Sequence, residues 1–477
     1  MSAGTAWAQG WEPDVQAPPS PEPWIDAGDG SRAPISRFKR LAPIVAIQLY
    51  LNGSILVFAF GPWLWPMRDP TKLYVFVAIA HLALLLGYLS AAGKRPLGYH
   101  GRMPSERVLT WSLWITLALF LPTLWWATGG QVNIVEALRN PGEIYYKYQE
   151  LNSEGHDTPA VAYLRMCFGP ALAMAVPLAA RRWRMLSLRM RTLAVAVVVS
   201  NLSLFVFTGR NKGLADFVLL LPWLIALALH GSRMKLRRLV LPAVLFAAAL
   251  AGFAAFFVTG TVGRTGGADD AFEKVQIFGG LQADLDNPIM RDLPRPLKGP
   301  LLALSFTQTH GYLALSWALD KPWVPSWGVG HSYFLYVVER RLTGRQDLQD
   351  RSYPSRLQSE DGWDMIMFWH TIYTWLASDL SFPGTIVAVF LMGRLFALTW
   401  LDSLRGENPY AVGLLILLVT IFYYFPANNI VLGQPEGFTG FWGLVLAWAL
   451  TRRKVRFRAP LAAYDAGAEP LPLPAGR

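Results

Sequence analysis

Apolar runs long enough to cross a bilayer recur along this chain, and most of the polar breaks between them are short. A helix needs about 20 such residues to span the hydrocarbon core. The pattern predicts ten membrane helices, near 41–61, 73–92, 108–128, 159–180, 192–208, 213–230, 239–259, 379–401, 409–426 and 437–451. The fifth and sixth are separated by Thr208-Gly209-Arg210-Asn211-Lys212-Gly213, which predicts a tightly turned antiparallel pair. The stretch LLALSFTQTHGYLALSWAL (301–319) is moderately apolar but holds Thr307, Gln308, Thr309 and His310. It reads as an interfacial or re-entrant helix folded against the bundle. No repeat at a fixed period is visible.

Composition supports the pattern against the length. A chain of 477 residues suggests two or three soluble domains. Hydrophobic residues at 53% and charged residues at only 16% predict an all-α polytopic membrane protein instead. Residues 1–36 are Pro-rich and predict a disordered tail, with no signal-peptide pattern after Met1. Residues 37–458 read as one transmembrane domain, with extracytoplasmic loops near 129–158 and 260–369. Residues 459–477 read as a second disordered tail. A single cysteine, Cys167, excludes an internal disulfide framework and a Cys-based zinc site, and is expected to be a small buried apolar residue.

The net charge of +11 changes the picture once its distribution is read. It is not gathered into a soluble patch, so nucleic acid is not expected as a partner. Twenty-three Lys and Arg residues lie in the segments on one side, and 6 in the short segments on the other. Positive residues stay in the cytoplasm, which places both termini there.

Arg210 and Lys212 break that rule. Snorkelling to lipid headgroups accounts for cations of this kind. The alternative is a seat for an anionic lipid-linked headgroup, since flanking glycines admit close approach, Arg grips phosphate at two points, and a helix N-terminus follows. Arg165 lies about two turns into its span, where an Arg pairs with a carboxylate or faces a polar cavity. Arg394 lies nearer a helix end and reads as snorkelling. Arg264, in FVTGTVGRTGG, is a further candidate for phosphate or sugar contact. His310 and His331 (in SWGVGHSYF) suit proton transfer from a sugar hydroxyl, and each also reads as a structural histidine. Glu339, Glu360, Asp361 and Asp364 are alternative bases, and each also reads as solvated loop charge. There is no Walker A loop, no GxSxG elbow, no HExxH helix and no metal-ligand spacing. Asp284 and Asp286 match a DxD spacing but fall on the expected outer side, where nucleotide sugars are scarce. Any chemistry then uses a donor that is already activated and lipid-linked.

FTGRNKGL (207–214) between paired spans resembles the Gly-Arg turn of bacterial oligosaccharide repeat unit polymerases, the O-antigen or Wzy-type family. HTIYTWLASDLSFPGTIVAVFLMG (370–393) is similar to their late Thr then Asp-aromatic-Gly-x-x-Gly segment, with Thr371 or Thr374, Asp379 and Gly384 matched. Leu380-Ser381 stands where the family has an aromatic-Gly pair. THGYLALSWAL followed by WGVGHSYF (309–334) is similar to the stretch before it, so the resemblance covers roughly 190–400. It implies transfer of a growing glycan from undecaprenyl pyrophosphate to a new lipid-linked repeat unit at the outer face of the bacterial cytoplasmic membrane. It implies no cofactor and no metal. By carry-over Arg210 binds pyrophosphate with Arg264 assisting, Asp379 joins the substrate site, and His331 or His310 activates the acceptor; Lys212 and Arg165 are added to that site from the charge pattern. The implied partners are lipid-linked oligosaccharide, membrane lipids, a chain-length regulator and a flippase. An O-antigen ligase, and a transporter or flippase of lipid-linked oligosaccharide, are the competing readings.

Overall fold

The computed structural model describes residues 35–153, 159–229, 237–264, 281–365, 368–406 and 408–453. Both expected tails therefore lie almost wholly outside the described residues. The chain begins with α1 (Arg37–Phe60), α2 (Pro70–Ala92) and α3 (Ser105–Thr128). Two short helices, α4 (Ile134–Arg139) and α5 (Pro141–Ser153), follow. Next come α6 (Pro159–Cys167), α7 (Gly169–Arg182), α8 (Leu188–Phe207), α9 (Lys212–Leu229) and α10 (Arg237–Arg264). The long connection holds α11 (Pro288–Arg291), α12 (Arg295–Thr309), α13 (Gly311–Ala318), α14 (Tyr333–Thr343), α15 (Asp347–Arg351) and α16 (Tyr353–Asp361). The chain closes with α17 (Ile372–Leu401), α18 (Pro409–Tyr424), α19 (Ile430–Gly433) and α20 (Pro435–Thr451). The four strands are two residues each and form two antiparallel pairs, Trp63–Leu64 with Gln282–Ala283 and Gly98–Tyr99 with Arg452–Arg453.

Every apolar run singled out in the sequence falls on a helix. Seven helices are long and apolar enough to cross a membrane, or eight if the bent pair α6/α7 is one span. That pair turns by 58° at Phe168-Gly169, where a Cβ on Gly169 would lie 2.5 Å from the Glu436 carbonyl oxygen. α18 is apolar but only 16 residues long. Cys167 is exposed at the bend, contrary to the expectation of burial. The 301–319 stretch divides at His310 into α12 and α13, and all eight residues of α13 are buried against the bundle.

Local signals set the helix ends. Asp69 caps α2 by accepting from the Lys72 N–H, with Pro70 at the first helical position. Asn408 caps α18 in the same way. Gly129 closes α3 in the left-handed region at φ 58°.

The main core is a continuous apolar cluster centred on α2, α17 and α18. α2 and α17 pack backbone to backbone. A Cβ on Gly87 would sit 1.9 Å from the Phe390 carbonyl oxygen, and one on Gly393 would sit 2.2 Å from the Leu84 carbonyl oxygen. Small residues permit such contact between membrane helices, and dispersion then holds them. One end of the bundle is tied by Asp402, which is fully buried. It accepts from the Leu97 N–H (2.9 Å), Trp448 Nε1 (2.9 Å) and Arg452 Nε (2.6 Å). The opposite end carries the α1–α2, α8–α9 and α18–α20 connections and the long segment between α10 and α17.

Gly87→Ala is expected to lower stability by about 1–3 kcal/mol, because neither backbone can yield. Gly53→Ala, in α1 with open space around the added methyl, is expected to be neutral or slightly stabilising. Thermal unfolding in detergent compares the two.

Candidate functional site

The site begins with a break in α17. Pro383 has no N–H for the carbonyl of Asp379, and its ring opposes a continuous helix there. The chain breaks at Ser381, at φ 62° and ψ 169°. That region of backbone space is almost restricted to glycine, and holding a serine there costs about 1–3 kcal/mol. The break frees the Ser378 carbonyl, which accepts from Ser326 Oγ (2.9 Å) and Trp323 Nε1 (3.3 Å) instead.

Asp379 sits one turn before the proline, with its side chain 8% exposed. Its Oδ1 accepts from Ser326 Oγ (2.7 Å), the Gly328 N–H (2.8 Å) and the Gly330 N–H (3.2 Å). Its Oδ2 accepts from the His331 N–H and from His331 Nδ1, both at 2.8 Å. One carboxylate thus wraps the loop Ser326–His331 around itself. Glycine is required at position 330, where a Cβ would lie 1.9 Å from Ser326 Oγ. Trp327, at φ 50°, and Ser381 are the two non-glycine residues with positive φ among the described residues, and both border this carboxylate.

The consequence for His331 is a fixed tautomer. Nδ1–H donates to Asp379, so the lone pair is on Nε2, which has no hydrogen-bond partner among the described residues. The side chain is 19% exposed. The backbone is held as well: Asn429 Nδ2 donates to the His331 carbonyl at 2.6 Å, and Ser332 Oγ to the Leu432 carbonyl. The Phe438 ring lies 6.1 Å from the imidazole. This is the geometry of an oriented general base. Asp379, expected in the substrate site, holds His331 and its loop through these bonds.

His310, the other histidine singled out, is placed differently. Nδ1–H donates to the Phe306 carbonyl (2.7 Å) and Nε2 accepts from the Trp369 N–H (2.8 Å). Both nitrogens are engaged and the ring stacks on Phe306 at 4.5 Å. His310 pins α12 to the start of α17 and has no lone pair to offer. Burial pushes its pKa down to about 4, so it is neutral near pH 7. The carboxylates considered as bases are engaged too. Glu339 accepts from the Leu348 and Gln349 N–H groups. Glu360 pairs with Lys321 and Arg356, and Asp361 with Lys321 and Arg68.

The four cationic candidates separate. Gly209, at φ 61°, closes α8, and the start of α5 packs onto it. A Cβ there would meet the Pro141 carbonyl oxygen at 2.3 Å. Arg210 Nη1 donates to Tyr148 OH (3.1 Å), with the guanidinium 5.2 Å from the Tyr148 ring centre. It has no carboxylate partner among the described residues. Lys212 pairs with Asp216 (2.6 Å), whose other oxygen accepts from Tyr424 OH (2.5 Å). Arg165 is bound to Glu436 (2.6 Å) and donates to Thr123 Oγ1 (3.1 Å), the interhelical ion pair that was one of its two expected readings. Arg264 ends α10, and its side chain lies outside the described residues.

One segment, Tyr424–Phe438, touches three of these places. Tyr424 meets Asp216 beside Lys212, Asn429 and Phe438 meet His331, and Glu436 meets Arg165. Asn429, Asp216, Tyr148 and the glycines of the 326–331 loop escaped the sequence reading. Only the close spacing of glycines around His331 carried a signal. Among the described residues no group of three or more His, Cys, Asp or Glu side chains can hold a metal ion. Comparison with protein-family models, curated proteins and solved structures finds no match to this chain.

Two outcomes follow from this geometry. A buried histidine with a depressed pKa binds its proton more readily when unfolded, so its stabilising contribution is present above pH 6.5 and is lost as pH falls toward 4. The full loss for His310 is about 3 kcal/mol. Melting curves between pH 7 and 4.5 should show a decline that His310→Gln reduces. Separately, Ser381→Gly should raise stability by about 1 kcal/mol. Relief of the backbone outweighs the weak 3.5 Å cap from Ser381 Oγ to the Gly384 N–H.

Proposed function

We propose that this protein is a glycosyltransferase of the bacterial cytoplasmic membrane that polymerises undecaprenyl pyrophosphate-linked oligosaccharide repeat units. The observation that carries this reading is the Asp379–His331 pair. Among the described residues it leaves one ring nitrogen without a partner, at the bundle end that also presents Arg210 without a carboxylate. In the ten-span topology with both termini cytoplasmic, that end is extracytoplasmic, and the lysine and arginine asymmetry supports the assignment. α18 and α20 are the spans that length alone leaves short.

The backbone adds a second support. The resemblance to repeat unit polymerases matched Asp379 and Gly384 but met Ser381 where the family has glycine. Ser381 adopts the conformation that glycine alone adopts freely. Ser381 thus holds a turn to which glycine is better suited.

In the proposed reaction His331 Nε2 takes the proton from a hydroxyl at the non-reducing end of the acceptor repeat unit. That oxygen bonds to the anomeric carbon of the donor glycan. The bond from that carbon to pyrophosphate breaks, and the electron pair leaves on the pyrophosphate. Arg210 receives the developing negative charge with its planar donors, and Tyr148 holds it in place. Asp379 stabilises the imidazolium. Lys212 is half-neutralised by Asp216 and contributes less. Arg165 is a structural tie between α6 and α20. The transporter reading draws no support from Arg165, which lies inside a span but is matched by a carboxylate.

The test is glycan laddering from a deletion strain complemented with matched levels of each variant. His331→Ala should lower polymerisation about 10²–10⁴-fold and collapse the ladder to single repeat units. Arg210→Ala should cost about 10²–10³-fold, and Arg210→Lys should not restore it. Long lipid-linked polymer that fails to reach lipid A-core would assign a ligase. A ladder that survives deletion of the gene would overturn the polymerase reading.

A further inference from the structure

Trp327 has no evident structural reason to be a tryptophan. It occupies the left-handed region at φ 50°, where a side chain is disfavoured and glycine is at ease. Its neighbour Gly328, at φ 88°, continues the same turn. The Trp327 side chain is 73% exposed. It has no ring, cation or hydrogen-bond partner among the described residues. A residue strained by its backbone and unrewarded by packing has its use outside the chain.

The surroundings identify that use. The strain persists because Asp379 clamps the residues on both sides, through Ser326 Oγ on one and the Gly328, Gly330 and His331 N–H groups on the other. The indole is therefore presented on a rigid turn, four residues from the free imidazole. Trp323, 46% exposed, is fixed to the same helix break through its Nε1 bond to the Ser378 carbonyl. A membrane-interface anchor has the same composition, but anchoring places no demand on φ and needs no clamp. A flat, exposed indole on the held turn that also carries a general base matches the C–H face of a pyranose ring, which combines an apolar face with a polar rim.

We propose that Trp327 is a stacking platform for a pyranose ring of the acceptor glycan, holding that sugar beside His331. The proposal rests on the reaction assigned above and names the group that selects its acceptor.

Saturation-transfer NMR on the full chain in nanodiscs tests it, with methyl pyranosides of glucose, galactose, mannose, rhamnose and N-acetylglucosamine as probes. At least one glycoside should receive saturation on its ring C–H protons from the wild type. Trp327→Phe should keep that contact, and Trp327→Ala and Trp327→Gly should weaken it about tenfold or more. Trp327→Gly should also melt at or above the wild-type temperature, because glycine relieves the turn. The platform is overturned if no glycoside contacts the wild type, or if Ala and Gly bind as well as Trp. It is equally overturned if both variants melt several degrees lower, since the residue then packs. Laddering with His331→Ala separates this from the parent reading. An intact ladder with glycoside contact retained retires the polymerase and leaves a sugar site. A collapsed ladder without glycoside contact retires the platform alone.

Discussion

One buried carboxylate organises the end of the molecule where chemistry is proposed. Asp379 accepts five hydrogen bonds, three from backbone N–H groups, one from a hydroxyl and one from an imidazole. A carboxylate in this position needs that many donors, because burying a charge without them is expensive. The donors come from a single loop, so satisfying the charge also fixes the loop. The break in α17 makes this possible, since a helix running on past Ser381 would use the Ser378 carbonyl that now receives Ser326 and Trp323. Positioning His331 and solvating Asp379 are thus the same event.

The rest of the bundle supplies a rigid frame for that event. α17 lies against α2 through Gly87 and Gly393, with backbone in contact with backbone. At the far end Asp402 joins the α2–α3 connection, α20 and the strand Arg452–Arg453. Two aspartates with buried side chains hold α17, Asp379 beside its internal break and Asp402 at its C-terminal end. Most other charges near the bundle are matched, as Arg165 is by Glu436, Lys212 by Asp216 and Lys321 by Glu360 and Asp361. Arg210 differs in having a phenol as its partner, which orients a guanidinium without cancelling its charge.

Strain falls in the same place. Among the described residues, the two side-chain-bearing positions at positive φ flank the Asp379 carboxylate. Each is locally unfavourable, and the residues beside each are held by hydrogen bonds between the 323–331 segment and Ser378 or Asp379. Natural sequences depart from local preference where a site demands it. Here the departures mark the turn that carries His331 and the break that carries Asp379.

The apolar runs, read alone, determined the membrane-compatible all-α character and the position of every long helix, because hydrophobic periodicity and length are local properties. The tight Gly209-Arg210 turn was legible for the same reason. The choice between His310 and His331 was not. Both sit in similar polar breaks, and what separates them is a partner 48 residues away for one and backbone groups of Phe306 and Trp369 for the other. The pairing of Arg165 with Glu436 spans 271 residues. The bend at Phe168 and the break at Ser381 fall inside predicted spans, although Gly169-Pro170 and Pro383-Gly384 mark both places. Local sequence set where helices form, but tertiary packing decided which polar groups meet, since a buried charge takes its partner from whichever element the fold brings within reach.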